Sequence, residues 1–234
     1  EKPEVLARVR AARLGVDYAV LEACRKGLAK EYTLVVNRDD GKSEVNPLVS
    51  EILDKFKKTT NHNKITLMNE MGFTVDEYLN SYAKALDVAK QPNKALGKKV
   101  SLLTKPKKYA NEDPQVLTDG ALGGNGFYAN WLGFEGNHLE AMVDLGQAQQ
   151  ISTISMAFLQ VTNHVVFFPT KVTYYGSLDN QKFVKLGSVE NAYPLTKKSK
   201  VNDIQYFDVN KVNQQLRYIK IIAENMGQPP YWHH

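Results

Sequence analysis

The 234 residues are enough for one large domain or two of ordinary size, and an apolar fraction of 43% supports a packed core and excludes a disordered chain. No run approaches the ~20 apolar residues a membrane-crossing helix needs. A net charge of +5 does not mark a nucleic-acid binder here, because residues 1–96 carry 16 basic and 14 acidic side chains and residues 97–234 carry 14 and 11. The densest basic cluster, Lys105, Lys107 and Lys108, is short, and solvated surface charge accounts for it. The single cysteine, Cys24, leaves no internal disulfide and no cysteine zinc cluster. It falls in an apolar stripe with Val20, Leu21 and Leu28, which predicts buried filler rather than a nucleophile.

The first ~95 residues have helical periodicity. Val5, Leu6, Val9 and Arg13 predict a short amphipathic turn or two, after which Asp17 is expected to cap a helix carrying Val20, Leu21, Cys24 and Leu28. Asn46 is a good N-cap, followed by Pro47 at a tolerated first-turn position and by Leu48, Val49, Ile52, Leu53 and Phe56 at helical spacing. Thr74, with Glu77 three residues on, forms a capping box. It opens a helix whose buried face is Val75, Tyr78, Leu79, Tyr82 and Leu86. Gln91-Pro92-Asn93 ends that helix and marks a linker.

Beyond Lys98 the pattern changes to short runs rich in β-branched and aromatic residues, at 151–161, 171–175, 182–189, 203–209 and 216–223. Ser177-Leu178-Asp179-Asn180 reads as a hairpin turn between two of them. Many short strands at such spacing predict a sandwich or barrel. The fold class is therefore α+β and multidomain, with a helical region over 1–95 followed by an antiparallel β-sandwich over 98–234.

Several chemical motifs fail on context. Gly124-Asn125-Gly126-Phe127-Tyr128-Ala129 matches a dinucleotide fingerprint formally, but residues 130–136 cannot easily form the helix that must receive the pyrophosphate. No histidine pair among His62, His138, His164, His233 and His234 has the i, i+4 spacing of a helical zinc site. Asp76 and Glu77 complement a helix dipole. Glu70 is a single carboxylate with no such explanation and is a weak catalytic signal. No G-x-S-x-G, H-E-x-x-H or phosphate-binding loop is present.

The informative segment is Leu117-Thr118-Asp119-Gly120, then the glycine loop, then Trp131-Leu132-Gly133-Phe134-Glu135-Gly136, then Val143-Asp144-Leu145-Gly146. Further on come Phe168-Pro169-Thr170-Lys171-Val172, Tyr175-Gly176-Ser177-Leu178-Asp179 and Leu216-Arg217-Tyr218-Ile219-Lys220-Ile221. In this order they resemble the discoidin family, also called the coagulation factor V/VIII type C domain, which includes the family 32 carbohydrate-binding modules. Two departures stand out. The glycine loop replaces a shorter segment of the family, and the chain reaches Tyr231-Trp232-His233-His234 where members continue into a closing strand.

The resemblance implies a jelly-roll sandwich, galactose-binding-domain-like, that binds a glycan or polysaccharide without catalysing a reaction. Sugars present an apolar ring face and a rim of hydroxyls, so a binder needs an aromatic platform and a few fixed donors and acceptors. The candidates are Tyr128, Trp131, Phe134, Asn137, His138, Asn163, His164 and Phe168, with Trp232 beyond them; core packing competes for Trp131 and Phe134. The resemblance also implies a structural calcium under the x-x-D-G turn, with Asp119 and Asn125 as ligands among backbone carbonyls. The competing reading is that Asp119 only closes the turn.

The amino-terminal region, through Arg13-Leu14-Gly15-Val16-Asp17-Tyr18, Asn69-Glu70-Met71-Gly72 and Val75-Asp76-Glu77-Tyr78-Leu79, looks like the tail of a bacterial glycoside-hydrolase-like family that often carries such a module. A catalytic barrel would then precede Glu1. The resemblance implies a secreted, periplasmic or cell-surface protein whose signal lies upstream. Nucleic-acid and membrane partners are not expected, and a monomer is the default. The alternatives are an active hydrolase using Glu70, and a protein- or membrane-adhesion domain.

Overall fold

The computed structural model describes residues 2–29, 31–37, 43–70, 72–109, 113–124, 126–127, 130–191 and 202–230. Two compact units form. One comprises Glu1–Asn93 with Ala121–Gly124, and the other Lys94–Gly120 with Asn125–His234.

The helical unit is set by local signals. Helix α1 (Pro3–Lys26) has no side-chain cap. Pro3, preorganised for a first turn, starts it, with Glu4 beside the positive end of the dipole and Arg25 and Lys26 in the last turn. The expected break at Asp17 does not occur. Asp17 is 4% exposed, in mid-helix, and pairs with Arg13 one turn back (3.4 Å). Ion pairing one turn apart lets a good capping residue sit inside a helix. Leu28 lies past the left-handed cap at Gly27 and is exposed. Strands β1 (Val35–Asn37) and β2 (Ser43–Val45) form an antiparallel pair.

Helix α2 (Pro47–His62) starts as expected, the Asn46 carboxamide oxygen accepting from the Leu48 N–H at 3.0 Å. Helix α3 (Val75–Ala89) starts at the Thr74/Glu77 capping box, with both reciprocal bonds made. Leu21, Cys24, Val49, Ile52, Phe56, Val75, Tyr78, Tyr82 and Ala85 fill the core. Burial raises the Cys24 thiol pKa, which keeps it protonated and unreactive.

This core also holds an ion. Arg25 is 1% exposed, with its guanidinium 3.5 Å from Glu22 and 4.7 Å from the Tyr82 ring centre. Tyr78 donates its hydroxyl to Glu22 (3.1 Å) and Tyr82 to the Leu21 carbonyl (2.8 Å), and burial raises both pKa values so the donors persist. Leu122 also packs on this core, and its N–H donates to the Arg25 carbonyl at 3.0 Å.

The second unit is an antiparallel sheet in the order β3-β4-β7-β5-β6. Its strands are β3 (Lys99–Leu102), β4 (Leu139–Val161), β5 (Lys171–Ser177), β6 (Val184–Glu190) and β7 (Asn202–Glu224). Period-two burial along β4, with Leu139, Ala141, Val143 and Leu145 inward, fits a sheet with one covered face. β4 and β7 each run 23 residues, well beyond an ordinary strand, and their register shifts between Asp144 and Gln149 and again between Ile151 and Thr153.

At this corner Arg217 grips the Asp144 carboxylate with two bonds (3.0 and 3.2 Å), and Asp144 also accepts from the Gly146 N–H at 2.8 Å. Beyond the corner the distal halves of β4 and β7 lie over the proximal sheet. The Tyr174 hydroxyl donates to the Phe207 carbonyl (2.7 Å), and Phe207 meets Phe158 and Phe168 at 5.1 and 6.3 Å. A side chain at Gly187 would meet Val209 at 2.7 Å, so the layers approach closely only because that position is bare. The sheet thus folds over itself into a β-sandwich whose interior is apolar.

Candidate functional site

Because the distal halves double back, several strand ends meet at one end of the sandwich. Thr170 N–H donates to the Glu224 carbonyl and Asn191 N–H to the Thr170 carbonyl, each at 2.9 Å. Asn225, just past β7, donates its N–H to His138 Nδ1 (2.9 Å) and its side-chain amide to the Phe134 carbonyl (3.1 Å). The loop residues 103–109, 126–127, 130–138, 162–170 and 225–230 are therefore carried on a rigid base, the usual location of binding residues.

The tightest of these loops follows β4. Val161 and Val166 bond to each other as a closed bridge (2.9 and 3.2 Å), and a 3-10 turn, Thr162–His164, fills the interval. Val165 closes it in the left-handed region at φ +60°, which is costly for a β-branched residue, yet the residue is 55% exposed. Asn163 and His164 are exposed on the same turn. The His164 ring lies 4.9 Å from the Phe127 ring. Beneath them Leu159, Val161 and Ile204 form a separate buried cluster, against which Phe127, Trp131, Val166 and Tyr206 pack. The result is an aromatic and apolar surface beside an exposed amide and an imidazole.

The other expected site residues divide clearly. Trp131 is half-buried, its ring contributing both to the small cluster and to the surface. Phe134 packs against the main core. Phe168 is 1% exposed between Phe207 and the start of β5, so it is a core residue and not a ligand contact. Its neighbour Pro169 is buried too, so the segment entering β5 is packed inward.

Asn137 is spent as a brace, donating to the Lys105 carbonyl (3.0 Å) and accepting from the Lys107 N–H (3.5 Å). His138 is exposed. Its Nδ1 accepts a hydrogen bond from the Asn225 N–H, leaving Nε2 as the ring nitrogen not engaged by that bond. Tyr128, Asn125, Trp232, His233 and His234 lie outside the described residues. Phe127, Val165, Asn225 and Tyr109 were not anticipated. Phe127 and Val165 had only weak signals, as hydrophobic residues amid glycine or polar turn residues.

Asp119 is exposed on its turn. The adjoining carbonyls are already engaged, Lys98 O by the Thr118 hydroxyl and Thr118 O by the Gly97 N–H, both at 2.7 Å. Among the described residues no three His, Cys, Asp or Glu side chains gather as a metal-ligand group. A calcium here would depend on Asp119 and main-chain carbonyls. In the helical unit Glu70 is exposed on the turn between α2 and α3, and Glu77 is committed to its capping box.

No protein-family model matches the chain, and no curated protein matches it. Among solved structures it is similar to a chitosan-binding module from a chitosanase/glucanase of Paenibacillus sp. IK-5 (14% identity, 58% of this chain and 89% of that one, TM-score 0.38). It is similar to a Streptococcus pneumoniae fucose binding module (12%, 58% and 90%, TM-score 0.39). A Clostridium perfringens family 32 carbohydrate-binding module, solved in complex with GlcNAc-α-1,4-galactose, is a third (10%, 58% and 81%, TM-score 0.36). The fold assignment rests on the strand register and cross-layer contacts described above.

Proposed function

We propose that the sandwich unit is a discoidin-type module that binds a carbohydrate, without catalysis, through the loops at this end. The observation that carries the reading is the turn at 162–166. It presents Asn163 and His164 beside the Phe127 ring, above a rigid base that includes Trp131. An apolar ring face stacks on Phe127 and Trp131, and the Asn163 amide and His164 imidazole serve the hydroxyl rim. The ordered motifs support the family reading, and two have a physical role in this chain. Asp144 of the D-L-G segment and Arg217 of the R-Y-I-K-I segment clamp the corner that folds the sheet over.

Within this reading the helical unit is the tail of a glycoside-hydrolase-like protein that is exported, and the chain acts as a monomer. A glycan array of the intact chain tests the binding claim. Binding that falls ~10-fold in His164→Ala and in Trp131→Ala, about 1.4 kcal/mol each, supports it. Array signals untouched by either variant would contradict the site, and a blank from folded protein would contradict the function. Calcium at the Asp119 turn is a separate proposal. It predicts a higher melting temperature with calcium than with chelator, and a difference that disappears in Asp119→Ala.

A further inference from the structure

The geometry points to a second subsite at the same end of the sandwich, formed by Tyr109 with Lys105 and Lys107, that takes an acidic sugar residue bearing a carboxylate or a sulfate. This rests on the carbohydrate-binding reading and adds the class of sugar.

Tyr109 is 63% exposed and has φ +62°, a left-handed conformation that bulky side chains rarely adopt. Its ring lies on Gly133, where a Cβ would sit 3.1 Å from a ring carbon. A side chain at 133 would push the ring off. The glycine inside Trp131-Leu132-Gly133-Phe134 thus gives an aromatic ring a seat on main chain and leaves much of it open to solvent.

A ring so exposed contributes little to the core, and glycine or asparagine would occupy this backbone conformation at lower cost. Strain retained at an exposed aromatic is the signature expected of a contact residue. Stacking against the apolar face of a sugar ring is the chemistry such a surface offers.

The platform is held in place. Asn137 bonds to the Lys105 carbonyl and the Lys107 N–H, Lys107 Nζ reaches the Gly136 carbonyl at 3.4 Å, and the Thr104 hydroxyl donates to the His138 carbonyl at 2.8 Å. Residues 104–108 are therefore stitched to residues 135–138. Preorganisation of this kind lowers the ordering cost of binding.

Charge names the ligand class. Lys105, Lys107 and Lys108 are all exposed within five residues of the ring. Glu135 pairs with Lys108, and Asp113, the next described carboxylate along the chain, accepts from the Gln115 N–H at 2.9 Å. Among the described residues, Lys105 and Lys107 are left as the cations for an incoming anion. Lysine is a flexible point charge and fits a carboxylate or a sulfate ester alike.

Affinity electrophoresis of the full chain against polygalacturonate, a sulfated galactan and a neutral galactan tests this. The expected result is ~10-fold tighter retention by at least one charged polymer than by the neutral one, a preference that fades as salt shortens the screening length from roughly 10 to 5 Å. Tyr109→Ala removes the retention, Tyr109→Phe keeps it, and Lys105→Gln with Lys107→Gln removes the charge preference. Unchanged melting curves for these variants separate lost binding from lost fold. Equal retention by neutral and charged polymers overturns the inference, as does wild-type retention of Tyr109→Ala. If His164→Ala still weakens neutral-glycan binding ~10-fold in that case, the proposed function survives. No binding to any of the three polymers or to the array overturns both.

Discussion

The two units solve the burial problem in opposite ways. The helical unit packs a tyrosine-rich core around a buried cation, Arg25, which needs Glu22 and the Tyr78 and Tyr82 rings to be tolerated. The sandwich core is apolar, and its cohesion depends on two 23-residue strands folding back so that Phe207 meets Phe158, Phe168 and the Tyr174 hydroxyl. The first sets its α2 and α3 starts by local caps, although its core still joins residues some 56 to 61 positions apart, as in Tyr78–Glu22 and Tyr82–Leu21. The second exists only once residues far apart in sequence have paired. Folding-rate arguments make the sandwich the slower and more fragile element during assembly.

Four substitutions sharpen or break that contrast. Phe207→Ala empties the point where both sandwich layers meet and is expected to cost about 3–5 kcal/mol in urea unfolding monitored by tryptophan fluorescence. A loss below ~1 kcal/mol would mean the layers do not depend on this contact. Glu22→Gln leaves Arg25 buried without its anion and is expected to cost about 3 kcal/mol in the helical unit, followed by far-ultraviolet circular dichroism. Replacing both members, as Glu22→Gln with Arg25→Met, should recover most of that loss; failure to recover would show that packing rather than charge is at stake. Asn46→Ala removes the α2 cap together with the bonds its buried amide donates to the Glu31 and Thr33 carbonyls, and should cost ~2 kcal/mol, with a loss of helix signal on heating.

The smallest effect concerns the corner clamp. The Arg217 guanidinium holds the Asp144 carboxyl below its ordinary range, helped by the Gly146 N–H. The pair is partly exposed, with the two side chains 40% and 29% accessible, so solvent weakens it. A depressed carboxyl pKa stabilises the fold above the unfolded value, near 3.9, and that stabilisation is lost as pH falls through the lower folded value. Wild type should therefore exceed Asp144→Asn slightly in melting temperature at neutral pH, with the gap closing below about pH 4. A gap that stays constant to acid would remove the charge from the account of the corner.

How far these features could be read in advance follows from the same contrast. The α2 and α3 starts were legible because Asn46-Pro47 and Thr74/Glu77 act within three residues of themselves. The α1 start was not, since Asp17 is a capping residue by type and its pairing with Arg13 is what keeps it inside the helix. Runs at 151–161, 171–175 and 216–223 fell within strands, but the continuity of β4 and β7 through polar residues such as Gln147 to Gln150 was hidden. Those residues are paired or turned at the corner by partners more than sixty positions away.

At the candidate site the sequence offered residue types but not their burial. His164 and Trp131 lie at the surface or its edge, whereas Phe168 has the same composition signal and sits in the core. Tyr109 carried no motif at all, and its significance comes from the bare Gly133 beneath its ring.

Glycan binding at the loop end is tested by titrating the isotope-labelled chain with the best array ligand and mapping amide and side-chain chemical shifts. The largest changes are expected on Phe127, the Trp131 indole N–H, Asn163 and His164, with smaller ones at Tyr109 and His138. Changes centred instead on the outer sheet face, where Lys220 lies between the Tyr175 and Phe183 rings, would contradict the loop site. So would the absence of any change at saturating ligand.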